Sequence, residues 1–186
     1  ALLPALLFNL WLFGWPAFFL LAVSVLSCLA IEAICLRLSG KEILFNLADG
    51  SALLTGCLLA MSLPPWAPWW TGVFGAIVAI GLTKHAYGGL GQNLFNPAMV
   101  ARVALLVSFP VVMTSWVAPH PWLSQGAPAF SEGLAITLGG SFPDTMSSAT
   151  PLGHVKTELS RGISVIQSAG WLPDLGLRGF HIDQAL

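Results

Sequence analysis

Pro16-Ala17-Phe18-Phe19-Leu20-Leu21-Ala22-Val23-Ser24-Val25-Leu26-Ser27-Cys28-Leu29-Ala30-Ile31-Glu32-Ala33-Ile34-Cys35-Leu36 carries a single charge in an otherwise apolar run. At 1.5 Å of rise per residue, a helix of that length measures about 31 Å, the thickness of a bilayer's hydrocarbon core. The stretch therefore reads as a membrane-spanning helix. In front of it, Gly14-Trp15-Pro16 predicts a tight turn. Residues 1–13 are apolar but too short to span, and they read as a helix that has lost its start. Behind it, Arg37 to Glu42 forms a short polar loop.

The rest of the chain has the same character. Apolar residues make up 56% of it and charged residues 8%, against about 25% charge in a soluble domain. Residues 1–118 hold only Glu32, Arg37, Lys41, Glu42, Asp49, Lys84 and Arg102, and the other eight charges follow. Residues 1–118 are thus expected to be a helical bundle of about five helices, and 119–186 an aqueous segment. A net charge of −1 argues against a nucleic-acid partner, which a basic surface would mark.

Residues 49–63 are apolar over only about 22 Å, short of the core thickness. They open on the capping composition Asp49-Gly50-Ser51 and stop at Pro64-Pro65. Such an element is either a broken helix beside a binding site or a tilted helix in a locally thin region. Residues 66–84 span again. Asn96 is an N-cap with Pro97 at the first helical position, and that helix runs to about Val117 with a kink at Pro110. Alternating these spans places Arg37, Lys41, Lys84 and Arg102 on one side, cytoplasmic by the positive-inside rule. Trp11, Trp15, Trp66, Trp69, Trp70, Trp116 and Trp122 gather on the other side as an aromatic belt, which puts 119–186 outside.

Chemistry is sparse within the bundle. Cys28, Cys35 and Cys57 sit in apolar runs without CxxC spacing and read as small packing residues. His85, His120, His154 and His181 have no ligand spacing. Gly88-Gly89-Leu90-Gly91 lacks the third glycine of a dinucleotide fingerprint and follows a membrane helix rather than a strand. Its glycines let the backbone turn or approach closely. Asp49, Arg102 and Glu32 are the charges that need a reason at membrane depth. The simplest reason places them near the headgroups, Asp49 as an N-cap, Arg102 snorkelling and Glu32 near a helix end.

The informative stretch is Asp144-Thr145-Met146-Ser147-Ser148-Ala149-Thr150-Pro151. Thr150 precedes a proline and a helical run over Leu152–Ser160, so its hydroxyl is an N-cap candidate. A phosphate ester on that hydroxyl would also lie at the positive helix end, near the amides of Leu152 and Gly153. The small neighbours Ser147, Ser148 and Ala149 leave the oxygen open to a modifying enzyme.

This Asp-x-x-Ser-x-Ala-Thr-Pro-Leu segment resembles the site at which a flavin transferase attaches FMN to threonine. It is similar to that of the NqrB/RnfD family, whose members belong to the Rnf ion-translocating electron transport complex and to sodium-translocating NADH:quinone reductase. Asp49-Gly50-Ser51-Ala52-Leu53, Leu63-Pro64-Pro65-Trp66-Ala67-Pro68-Trp69 and Gly88-Gly89-Leu90-Gly91-Gln92-Asn93 through Phe95-Asn96-Pro97-Ala98 carry the same resemblance. Pro151-Leu152 favours the Rnf branch. The match covers nearly all of this chain but only about the N-terminal half of a family member, so further membrane helices are expected after Leu186. One residue departs: Ser148 stands where the family pattern has glycine. If that position needs a positive φ, serine costs on the order of 1 kcal/mol there.

The resemblance implies an all-α polytopic protein of the bacterial inner membrane, with residues 119–186 periplasmic. It implies a component of a ferredoxin:NAD⁺ oxidoreductase that relays electrons and is coupled to Na⁺ or H⁺ movement. FMN is expected on Thr150 within a motif formed by Asp144, Ser147, Ser148 and Ala149. A second, non-covalent flavin (riboflavin) is expected in the bundle, near the helix from Asp49 or the turn at 88–91. Partners would be the other Rnf subunits, the lipid bilayer and the flavin transferase. Two other readings stay open on the residues alone: a non-redox transporter or channel, which shares broken helices and glycine turns, and a scaffold protein whose flavin site is lost.

Overall fold

Helix formation here is governed by apolar runs cut by glycine and proline. The computed structural model describes residues 2–139 except 88, 90, 118 and 123–126. The expected attachment residues Asp144, Ser147, Ser148, Ala149 and Thr150, and the helix expected near 151–161, lie outside the described residues.

Helix α1 runs from Leu3 to Leu38 and is interrupted at Gly14, with φ 66 and ψ −147. That backbone region is open essentially to glycine alone. Pro16, which lacks an N–H, follows two residues later. The turn expected at 14–16 is thus present as the break at Gly14, beyond which helical geometry resumes. At its other end α1 stops through a 6→1 bond from Lys41 N to Leu36 O and a 5→2 bond from Gly40 N to Arg37 O. That is the glycine-terminated Schellman pattern.

A one-turn helix, α2 (Ile43–Leu47), occupies part of the expected connection. Helix α3 (Ser51–Ser62) ends before Pro64-Pro65, as the sequence predicts. The span expected over 66–84 is two elements: α4 (Trp69–Ala76) and a π-helix from Ile77 to His85. Asn96 accepts a bond from Ala98 N at 3.0 Å and starts α5 (Pro97–Ser108) as predicted. The kink expected at Pro110 is a full break at Phe109, after which α6 (Pro110–Thr114) continues. Helix α7 (Phe130–Gly139) has no counterpart in the sequence reading.

Helix α1 is the spine: α3, α4, the π-helix and α7 all pack on it, and α5 closes against α3, α4 and the π-helix. The approach of α3 is set by Gly56, where an added Cβ would lie 2.8 Å from Val25 Cα. Small residues that let backbones meet are the usual basis of helix packing in lipid. Leu20, Cys28, Leu59, Leu63, Ile80 and Leu105 fill the core, so Cys28 is the packing residue it was expected to be.

Among the described residues, α1 is long and apolar enough to cross a membrane, and α3 and α5 are shorter apolar helices. The outer face of α1 leaves Leu3, Leu7, Phe8, Leu26 and Ile34 exposed. So extended an apolar face suits lipid rather than water. Trp11, Trp15 and Trp122 share one end of the fold: Trp122 N donates to Trp11 O at 2.9 Å, and the Trp15 and Trp122 rings meet edge-on at 5.0 Å. Trp66 departs from the expected belt, being packed inside with 4% of its surface exposed.

Candidate functional site

The polar centre of the described fold gathers where α1, the π-helix and the start of α3 meet. Glu32 projects from α1 and is 2% exposed; Lys84 projects from the π-helix and is 3% exposed. Lys84 Nζ donates to Glu32 Oε1 at 2.7 Å. The same ammonium donates to Ser51 Oγ at 2.7 Å. Ser51 in turn donates its hydroxyl to Asp49 Oδ1 at 2.6 Å, and its backbone N–H reaches the same oxygen at 2.8 Å.

Local sequence explains each position. Gly50 adopts φ 71, a left-handed conformation that folds Asp49 back over the first turn of α3. Asp49 therefore satisfies the Ser51 N–H, one of the orphan donors at that helix start. This is the capping role expected of it, exercised from one residue farther out. Burial would raise the Asp49 carboxyl, but the two bonds from Ser51 and the Lys84 charge outweigh it and hold the group below its ordinary value.

The π-helix sets the inner partner. Thr83 Oγ1 bonds back to Val78 O at 3.0 Å, five residues away, and Ala86 N reaches Gly81 O in the same i−5 pattern. Widening the helix in this way changes the face that its last residues present. Here it turns both Lys84 and His85 inward. His85 Nε2 lies 3.2 Å from Glu32 Oε1, close enough for a charge contact but not aligned as a hydrogen bond. Lys84 Nζ and His85 Nε2 thus both approach the same oxygen of Glu32. Glu32 Oε2 is buried and has no hydrogen-bond partner among the described residues.

These contacts add what the sequence did not announce: Glu32 and Lys84, each near the end of its helix, form a buried pair. A buried ion pair contributes little net stability, because desolvating two ions costs several kcal/mol each before their attraction is counted. Ionisable side chains inside an apolar bundle are instead a mark of function. The pairing was missed because 52 residues separate the partners and the sequence carries no signal for the π register.

The expected glycine turn is present in part. Gly89 and Gly91 have φ 103 and 84, as a backbone that must turn requires. Beside them Asn93 Oδ1 is buried without a partner among the described residues.

Comparison with known proteins gives the chain its context. The family described as "NQR2, RnfD, RnfE family" matches residues 1–178. A protein of Stutzerimonas stutzeri, named as the component designated D of an ion-translocating oxidoreductase complex, is 55% identical over 168 residues, covering 90% of this chain and 47% of the relative. A protein of the same name from Rhodobacter capsulatus is 51% identical over 179 residues, covering 96% and 49%. A third, from Halorhodospira halophila, is 49% identical over 180 residues, covering 95% and 50%. The chain spans about half the length of the curated relatives it matches.

Proposed function

Because the chain belongs to the NQR2, RnfD, RnfE family, we propose that it forms part of the membrane portion of an Rnf-type ion-translocating oxidoreductase, with FMN linked through phosphate to Thr150. The observation that carries this reading is the match over residues 1–178, which runs through the Thr150 segment, together with relatives above 50% identity bearing one name. The reaction proposed for the whole complex is electron transfer between ferredoxin and NAD⁺, coupled to Na⁺ or H⁺ movement. The chain crosses the bacterial inner membrane more than once in this reading, with 119–186 on the periplasmic side. Its partners are the other proteins of the complex and, during maturation, a flavin transferase.

When attached, FMN supplies the one-electron chemistry. The chain supplies the Thr150 hydroxyl, which accepts the flavin phosphate; a helix beginning at Pro151, as its sequence favours, would turn free amides towards it. A tether keeps a flavin on the aqueous side from being lost by dissociation. For a second flavin, the turn at 88–93 is the favoured place: Asn93 Oδ1 is a buried acceptor suited to a ring N–H. The Asp-x-x-Ser-x-Ala-Thr segment separates this reading from a plain transporter, which has no use for it.

Membrane vesicles from cells deleted for this gene, and from cells complemented with it, test the reading. Ferredoxin-dependent NAD⁺ reduction and the accompanying membrane potential should vanish on deletion and return on complementation. Unchanged activity in the deletion strain would refute the assignment to the complex.

A further inference from the structure

A buried ion pair needs further hydrogen bonds for its remaining donors and acceptors, and where these lead decides what the pair can do. The bonds of the Glu32–Lys84 pair lead outward. From the buried carboxylate the hydrogen bonds continue through Lys84 Nζ and Ser51 Oγ to Asp49 Oδ1, each step between 2.6 and 2.7 Å. Glu32, Lys84 and Ser51 come from three separate elements, and Asp49, the last member, is exposed. We propose that Asp49–Ser51–Lys84–Glu32 is a proton-exchange route joining water at Asp49 to the buried Glu32 carboxyl.

Donor and acceptor inventories fix the direction of the resting bonds. An ammonium only donates and an ionised carboxylate only accepts. Ser51 must therefore accept from Lys84 and donate to Asp49, so every hydrogen along the line points towards a base. In the inward direction Lys84 Nζ–H passes its proton to Glu32 Oε1, which leaves an amine and a carboxylic acid. Asp49, protonated from water, then returns its proton to Ser51 Oγ as the Ser51 hydroxyl proton passes to Lys84. One proton has entered from water, only O–H and N–H bonds have exchanged, and Lys84, Ser51 and Asp49 are restored. The outward direction is the reverse.

The other groups around Glu32 fit a carboxyl that changes charge. His85 from the π-helix stands 3.2 Å from the same oxygen. Cys28 and Cys35 lie on Glu32's own helix, and Cys57 lies on α3. Oε2, without a partner among the described residues, is the oxygen open to a proton or to a further acceptor. The site involves no flavin and none of the Thr150 segment, so it stands or falls apart from the proposed attachment.

The test is infrared difference spectroscopy of the full-length protein in lipid nanodiscs after a pH jump, with no electron donor present. A carboxylic acid C=O band that is absent from Glu32→Gln should appear on acidification. Its rise should slow about tenfold in Ser51→Ala, the factor expected for one lost hydrogen bond in the path. Ser51→Thr, which keeps a hydroxyl, should restore the rate. If Glu32→Gln does not fold, the Ser51 variants decide, since both leave the ion pair in place. No acid band anywhere between about pH 4 and pH 9, or equal rates in Ser51→Ala and the parent, would overturn the proposal.

Discussion

Lys84 Nζ lies 2.7 Å from Glu32 Oε1 with both side chains 3% exposed, and no other buried residue among those described carries a charge. This pair ties the π-helix to α1 inside the packed interior, where an unpaired charge is costly. It also makes that interior sensitive to substitution in a way that apolar packing is not.

Lys84→Met alone leaves Glu32 buried without its main partner and should cost about 3–5 kcal/mol, whereas the double variant Glu32→Met/Lys84→Met should lie within about 1 kcal/mol of the parent or be more stable. Unfolding of the full-length protein in detergent, followed by far-ultraviolet circular dichroism, measures both. Equal losses in the single and double variants would mean that the pair is not a desolvated one.

Gly56→Val should disrupt the α1–α3 interface. Its side chain would begin 2.8 Å from the Val25 backbone, which cannot rotate out of the way, and overpacking of this kind costs about 1–3 kcal/mol. Cysteine cross-linking between the two helices should fall in step with stability.

Asn96→Ala removes the side-chain bond to Ala98 N and should destabilise the start of α5 by about 1 kcal/mol. Asn96→Asp, which keeps an acceptor, should retain most of that stability in the same melting experiment.

Asp49 gives a pH signature. Its carboxyl is held below the reference value of 3.8, so its contribution to stability is fully present above that pH. The contribution is lost as pH falls through the lower folded value. Asp49→Asn should flatten that acid limb, and Ser51→Ala should do so in part. Because Asp49 is exposed, the effect is expected to be small, and a titration of stability against pH reads its sign.

Much of the scaffold was legible because it depends on local chemistry. Pro16–Leu36 announces a span by length, Asp49-Gly50-Ser51 a helix start, Pro64-Pro65 a stop, and Asn96-Pro97 a cap. What was illegible depends on register and on distance along the chain. A 3.6-residue period places Lys84 and His85 by α-helical geometry, but the backbone over Ile77–His85 follows an i−5 pattern, which turns them inward. Helix α7 escaped because Phe130–Gly139 is short and carries two glycines, and its place is fixed by contacts with Trp15 and Phe19. The buried pair was likewise invisible, since nothing near Glu32 in sequence announces a lysine 52 residues later.

The central claim concerns the flavin, and in-gel fluorescence under denaturing conditions tests it most directly. The full-length protein, co-expressed with its flavin transferase, should give a fluorescent band that disappears in Thr150→Ala and survives in Glu32→Gln. A dark parent band, or a band that persists in Thr150→Ala, would contradict the attachment of FMN at Thr150.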